Sequence, residues 1–176
     1  MGIFIRNVWL KFIILAWSDD LNIRLIAQDD LPKAAIIHAS AFVRQSDSLE
    51  WLECSFKAFP RYMVFVAETE SDIVGYIIWS QKSGFRPEVV LELEQLAVSP
   101  ESQKKGIGRA LIMESLPLVK RQLALKNAVL KTILVTTRTD NYAQELYKST
   151  IGAEVETVIS NLYSADEVLM IARNLS

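Results

Sequence analysis

Two strand-like runs, Val89 to Val98 and Lys131 to Thr137, are separated by a single helix-like segment over 108–126. A chain that leaves a strand, passes through a helix and re-enters the same sheet lays the second strand parallel to the first, with a right-handed crossover. On either side the pattern changes to hairpins, which are antiparallel. Tyr62–Glu68 and Ile73–Ser80 flank a polar turn, Thr69–Asp72, and Glu154–Ser160 and Glu167–Ala172 are joined across 161–166. The expected architecture is an α/β (α+β) fold. It has a mixed, mostly antiparallel sheet, a central parallel βαβ unit and helices on both faces.

The other elements follow from local signals. Asn22–Ile26 reads as a strand, and Asp29-Asp30-Leu31-Pro32 opens a helix to about Phe42 with proline just inside its start. A second helix runs from Ser46 or Asp47 to about Phe59 and ends at Pro60. A short one covers 141–150, after the strand at 131–137. Pro117 lacks an N–H, which predicts a kink or an early break in the 108–126 helix. No repeat or linker divides the body, so 21–176 reads as one domain and 1–20 as an N-terminal extension. Val8–Trp17 is apolar, but Lys11 interrupts it and the run is too short to span a bilayer. Ala16-Trp17-Ser18 is a poor cleavage site. The extension is expected to pack on the domain or on a second copy of the chain, which allows a homodimer; membrane attachment is not expected.

With 176 residues the chain can bury a core without disulfides or structural metal. A net charge of −2 gives no general attraction to nucleic acid or acidic membranes. Cys54 is the only cysteine, so neither an intrachain disulfide nor a cysteine zinc site can form, and no metal is expected. Its scarcity points to a reducing, cytoplasmic compartment. His38, the only histidine, lies in an apolar helical stretch and suits a structural or surface role better than a nucleophilic triad.

The chemistry gathers in Leu91–Leu111, LELEQLAVSPESQKKGIGRAL. Gln103-Lys104-Lys105-Gly106-Ile107-Gly108-Arg109 places two glycines and three cations at a helix start. Glycine permits a left-handed backbone and a close approach to an anion, and first-turn N–H groups with the helix dipole bind phosphate oxygens. A Walker loop would end in Gly-Lys-Ser/Thr, absent here. A dinucleotide fingerprint would place glycine where Leu111 stands and would follow its strand directly. The loop alone also fits a glycine-softened helix start with solvated lysines.

The preceding strand narrows the reading. Leu91 and Leu93 share one parity and Leu96 and Val98 the other, so the alternation slips by one between them. A β-bulge has that effect and frees backbone groups for a ligand.

Leu96-Ala97-Val98 followed by Gln103-Lys104-Lys105-Gly106-Ile107-Gly108 resembles the Gln/Arg-x-x-Gly-x-Gly/Ala motif of the GNAT superfamily of N-acetyltransferases. The order of elements from Asn22 onward is similar to that family's. The resemblance implies acetyl-CoA as co-substrate, with backbone amides of Lys104, Lys105, Gly106, Ile107, Gly108 and Arg109 on its pyrophosphate, next to Gln103. It implies backbone of Leu96, Ala97 and Val98 on the pantetheine arm and thioester carbonyl. Asp140-Asn141-Tyr142-Ala143-Gln144-Glu145-Leu146-Tyr147 resembles the family's Asn-x-x-Ala-x-x-Leu-Tyr, with Tyr147 as the general acid. Asn141, a cofactor-contact candidate, stands six residues before Tyr147 where the family has seven, so Asp140 occupies the usual asparagine position. Gly152 is likewise displaced, and a register taken from it would put Lys148 in the tyrosine's place.

Transfer to an amine requires an amine freed of its proton, a donor for the oxyanion and a proton for the departing thiolate. A bulge amide near Leu96 suits the oxyanion. Glu94 matches the base position of polyamine-type enzymes in the family and Glu92 the histone-type position; both also read as solvated strand carboxylates. The acceptor, a small-molecule or peptide amine, is expected between the two N-terminal helices and the last strand pair, with Trp51, Trp79 and Tyr163 as lining candidates. The rival is a non-catalytic acyl-CoA-binding module.

Overall fold

The computed structural model describes residues 21–70, 72–173 and 175; the extension read over 1–20 lies outside the described residues. Seven strands, β1 (Asn22–Leu25), β2 (Tyr62–Glu68), β3 (Ile73–Lys82), β4 (Glu88–Val98), β5 (Val129–Arg138), β6 (Glu154–Ile159) and β7 (Glu167–Arg173), form one sheet. Their spatial order is β1-β2-β3-β4-β5-β7-β6. Only β4 and β5 pair in parallel, as the single helix between them requires. The helices are α1 (Leu31–Ala41), α2 (Ser48–Lys57), α3 (Ile107–Ala124) and α4 (Ala143–Ile151).

Period-2 patterning sends alternate strand residues into two cores. Phe65, Trp79, Leu91, Leu93 and Ile133 pack with Leu111 and Ile112 of α3 and Tyr147 and Ile151 of α4. Val64, Val66, Tyr76, Ile78 and Ala97 pack with Leu31, Ala34 and Ile37 of α1 and Leu52 of α2 on the opposite face. Burying one such aliphatic side chain is worth roughly 2 kcal/mol, so both helix layers are held mainly by this apolar contact.

Local chemistry moves several boundaries. Asp47 adopts a left-handed conformation (φ 53°), so α2 begins at Ser48. The short helix was expected from residue 141, but the Asn141 side chain accepts from the Ala143 N–H at 2.9 Å, and α4 starts at Ala143. The early break expected at Pro117 does not occur, because α3 continues through it to Ala124. Pro117 is exposed and so is Met113, whose carbonyl loses its helical donor, so water can satisfy that carbonyl. Among the described residues no helix is long and apolar enough to cross a membrane.

Candidate active site

The site is built around the end of β4. Against β3, Ile78 pairs with Gln95 and Trp79 with Leu93, so Glu94 is the extra residue of a β-bulge, where the slipped alternation predicts one. The slip keeps Leu96 and Val98 against the same core as Leu91 and Leu93. It also turns Glu94 and Gln95, consecutive residues, toward the α1–α2 side, where Glu94 reaches Ser80 and Gln95 reaches His38.

On its other edge β4 parts from β5. The parallel ladder ends at Glu92↔Leu134, although β4 runs on to Val98 and β5 to Arg138. The backbone of Leu96–Val98 thus has no strand partner on that edge, while the β3 edge stays paired to Gly75↔Val98. Gly75 is required there: a β-carbon would stand 2.9 Å from the Ala97 carbonyl oxygen.

Beyond Val98 the chain turns through a short 3-10 segment, Pro100–Ser102, into α3. The side-chain amide of Gln103 donates to the Val98 carbonyl at 3.1 Å, tying the loop to the strand end. Lys104 (φ 61°) and Gly106 (φ 82°) are both left-handed, which curls the backbone into the helix start. The first helical bond is Ala110 N–H to the Gly106 carbonyl, 3.0 Å. The six consecutive amides 104–109 therefore donate to no acceptor among the described residues. They stand as unpaired donors at the positive end of an 18-residue helix, a geometry that suits an anion. Residues 103–106 are exposed, and Arg109, also exposed, rests on Ser149 of α4 at 2.8 Å. A β-carbon on Gly108 would meet Leu146 at 3.4 Å and Leu96 at 3.8 Å, so strand, loop and α4 converge on that position.

Tyr147 lies on α4 in the same core cluster as Ile107 and Leu111, 6 % exposed. Burial pushes its phenol up to about 12, and the hydroxyl has no hydrogen-bond partner among the described residues. Lys148 is exposed. Asn141 is engaged by the protein itself: beyond capping α4, it donates to Thr137 Oγ1 at 2.8 Å. Asp140 is exposed and paired with Arg138 at 2.7 Å.

The two glutamates sit in different company. Glu92 pairs with Lys82 at 2.5 Å, whereas Glu94 accepts from Ser80 Oγ at 2.9 Å and lies 3.9 Å from Lys82. Burial opposes the charge on Lys82, but the Glu92 carboxylate outweighs it and raises the ammonium's pKa. The aromatic candidates separate as well. Trp79 is fully buried, donating to Ser115 at 2.8 Å, and is a core residue. Trp51 and Tyr163 remain exposed, and Arg44 donates to Ser164, joining the α1–α2 connection to the β6–β7 loop.

Sequence reasoning missed the Ser80 and Lys82 partners and the role of Gln95. The signal available was a lone amide inside an otherwise apolar strand end, Gln95-Leu96-Ala97-Val98. His38 proves fully buried, so of the two roles expected it has the structural one.

No curated protein matches the chain in sequence. Solved structures with the same fold include a ribosomal-protein-alanine N-acetyltransferase from Brucella melitensis (TM-score 0.69, 22% identity, covering 87% of this chain and 99% of that one). A spermidine N-acetyltransferase from Vibrio cholerae superposes with a TM-score of 0.67 at 20% identity, covering 88% of this chain and 94% of that one. An acetyltransferase from Salmonella typhimurium, solved with acetyl-CoA, gives a TM-score of 0.65 at 19% identity over 88% of this chain and 94% of that one. Each shares the fold, and the first two are named for different acceptors, a ribosomal-protein alanine and spermidine. The model of the acetyltransferase (GNAT) family matches residues 31–153, well over half of the chain, and with the bulged strand and amide cradle in place the chain belongs to that family.

Proposed function

We propose that this acetyltransferase moves the acetyl group of acetyl-CoA directly to the primary amine of a small molecule or peptide. The observation that carries the reading is the parting of β4 from β5 beyond Glu92↔Leu134, beside six unspent amides at the start of α3. The residues fit the co-substrate: the amides of Lys104–Arg109 would hold its pyrophosphate and the free edge of Leu96–Val98 its amide-bearing arm. Acetyl-CoA supplies an acyl group already activated as a thioester. The protein's part is to orient it and to handle protons.

Glu94 serves as the base for the incoming ammonium, directly or through a water, because Lys82 is held by Glu92 at 2.5 Å and stands 3.9 Å from Glu94. Glu92 is its alternative. A backbone N–H at the bulge, near Leu96, would donate to the carbonyl oxygen as charge gathers on it. Tyr147 keeps its proton at neutral pH, burial having raised its pKa, and can give it to the departing sulfur. No covalent enzyme intermediate is needed, in keeping with a chain whose only cysteine, Cys54, lies on α2. Place of action is proposed as the cytoplasm.

The test is a thiol-release assay with acetyl-CoA against amines, polyamines, amino acids and peptides, with the product identified by mass. Acetyl-CoA binding without transfer to any acceptor would favour the non-catalytic binding module.

A further inference from the structure

A buried polar cluster lies on the α1–α2 side of the sheet, away from the amide cradle. Its centre is Gln95, 6 % exposed. The Gln95 Oε1 accepts from the Tyr76 hydroxyl at 3.0 Å and from the Trp51 indole N–H at 3.2 Å. Its Nε2 lies 3.3 Å from His38 Nε2 and donates to Gln45 Oε1 at 3.4 Å. His38 is closed on its other side by Ser48 Oγ, 2.8 Å from Nδ1.

One assignment of donors satisfies all five partners. An indole N–H can only donate, so the atom facing Trp51 is the oxygen of Gln95. The amide nitrogen then faces His38; with Nε2 as the bare nitrogen, His38 accepts from Gln95 and its Nδ1–H donates to Ser48. The cluster thereby joins α1, the α1–α2 connection, α2 and β3 to a single residue of β4. That residue directly follows Glu94, the extra residue of the bulge.

A bulge has no register of its own; a strand can absorb its extra residue at a neighbouring position unless side chains forbid it. Leu93 in one core and Gln95 in the cluster bracket Glu94, and only Gln95 is held by directional bonds. We infer that Gln95 is a positioning residue for acetyl transfer, fixing the bulge at Glu94 so that the Glu94 carboxylate keeps its place. The inference rests on the proposed transfer reaction for its kinetic consequence, but not for its structural one.

Two variants test it. Gln95→Leu keeps the volume and removes every bond. Its crystal structure should show the extra residue displaced from position 94 and the Ser80–Glu94 bond lost. Turnover with the best amine from the panel should fall on the order of 10²-fold, the scale of a misplaced reacting group, while calorimetric affinity for CoA changes little. Gln95→Glu retains an acceptor for Trp51 and Tyr76 and offers His38 a carboxylate, so His38 should hold a proton above its ordinary range, read by its imidazole NMR titration. That variant should recover most of the turnover while His38 is protonated and lose it as pH rises through the new His38 pKa, a profile the parent protein lacks. Of the groups facing His38 (Phe42, Gln45, Ser48, Tyr76 and Gln95), only Tyr76 is otherwise titratable, and burial holds it far above that range.

A Gln95→Leu protein with the bulge still at Glu94 and the Ser80 bond intact overturns the inference, whatever its activity. So does equal loss of CoA affinity, which would place the effect in the cradle. If Gln95→Leu does not fold, Gln95→Glu decides: a displaced bulge with unchanged turnover, or turnover that ignores the protonation of His38, overturns the inference. Should the parent transfer to no amine, the proposed function fails while the position of the bulge in the variants still decides this one.

Discussion

The ammonium of Lys82 lies 2.5 Å from the Glu92 carboxylate, and this pair makes the two β4 glutamates chemically unequal. A carboxylate already holding an ammonium at this distance is less available to an incoming amine. Glu94 accepts instead from the Ser80 hydroxyl at 2.9 Å and stands 3.9 Å from Lys82. Glu94→Gln should lower turnover by about 10²–10⁴ at neutral pH, the usual range for a lost general base. The loss should shrink toward pH ~10, where alkylamines deprotonate unaided. Glu92→Gln should cost much less. A pH–rate profile for each variant is the measurement. If Glu92→Gln carries the large loss, the base is Glu92; if both profiles match the parent, neither carboxylate takes the proton.

Gly108→Glu addresses the cradle. The β-carbon would meet Leu146 at 3.4 Å, ordinary contact, so the fold should survive. The new carboxylate would stand at a helix start whose field and free amides favour an anionic ligand, and like charge should abolish CoA binding. Calorimetry on the folded variant reads this directly, and unchanged affinity would sink the cradle assignment.

Ligand preference gives a check that needs no mutation. Acetyl-CoA and CoA should raise the Tm, since a ligand that binds only the folded chain stabilises it by mass action. ATP and NAD at equal concentration should not. An equal shift with ATP would count for a nucleotide site instead.

Elements with a strong period were legible from sequence. The βαβ unit, both hairpins and the bulge are where the pattern puts them, because burial on one face leaves little freedom of register. What escaped was set by side chains meeting across elements. Asn141 reads as helical until its amide is seen capping α4 and bonding Thr137. Pro117 reads as a breaker because sequence does not show that the freed carbonyl at Met113 faces water. Glu92 and Glu94 look equivalent until Lys82, on the neighbouring strand, is placed beside one of them. Pairings over such separations leave no trace in local pattern.

His38 predicts a pH dependence of stability. Burial lowers its pKa from the ordinary 6.5, so the folded chain holds it neutral while the unfolded chain takes up a proton below that value. Above pH 6.5 both states are neutral and His38 contributes no slope. As pH falls through 6.5 toward the folded pKa, the unfolded state binds more protons and stability drops. Asp30 and Asp72 act in a separate window: their lowered pKa values give stability above the ordinary 3.8 that is lost only below it. Urea unfolding of the parent should show the slope beginning near 6.5, and His38→Asn should remove it. A slope that persists in His38→Asn would assign it to another group.

Tyr147 stands on a helix whose spacing departs from the family pattern. Tyr147→Phe keeps the buried ring and removes only a hydroxyl that bonds to none of the described residues, so packing should barely change. If that hydroxyl protonates the departing sulfur, turnover should fall by about 10²–10⁴. CoA affinity should hold, since the amides of 104–109 are untouched. With the phenol raised to about 12, the parent's acid form persists across the whole assay range, so no alkaline decline should arise from Tyr147 below about pH 10. Lys148→Met is the matched control, removing an exposed cation one residue along. Should Lys148→Met do the damage while Tyr147→Phe stays active, α4 presents a different residue to the sulfur, and the acid must be sought on the Lys148 side of the helix.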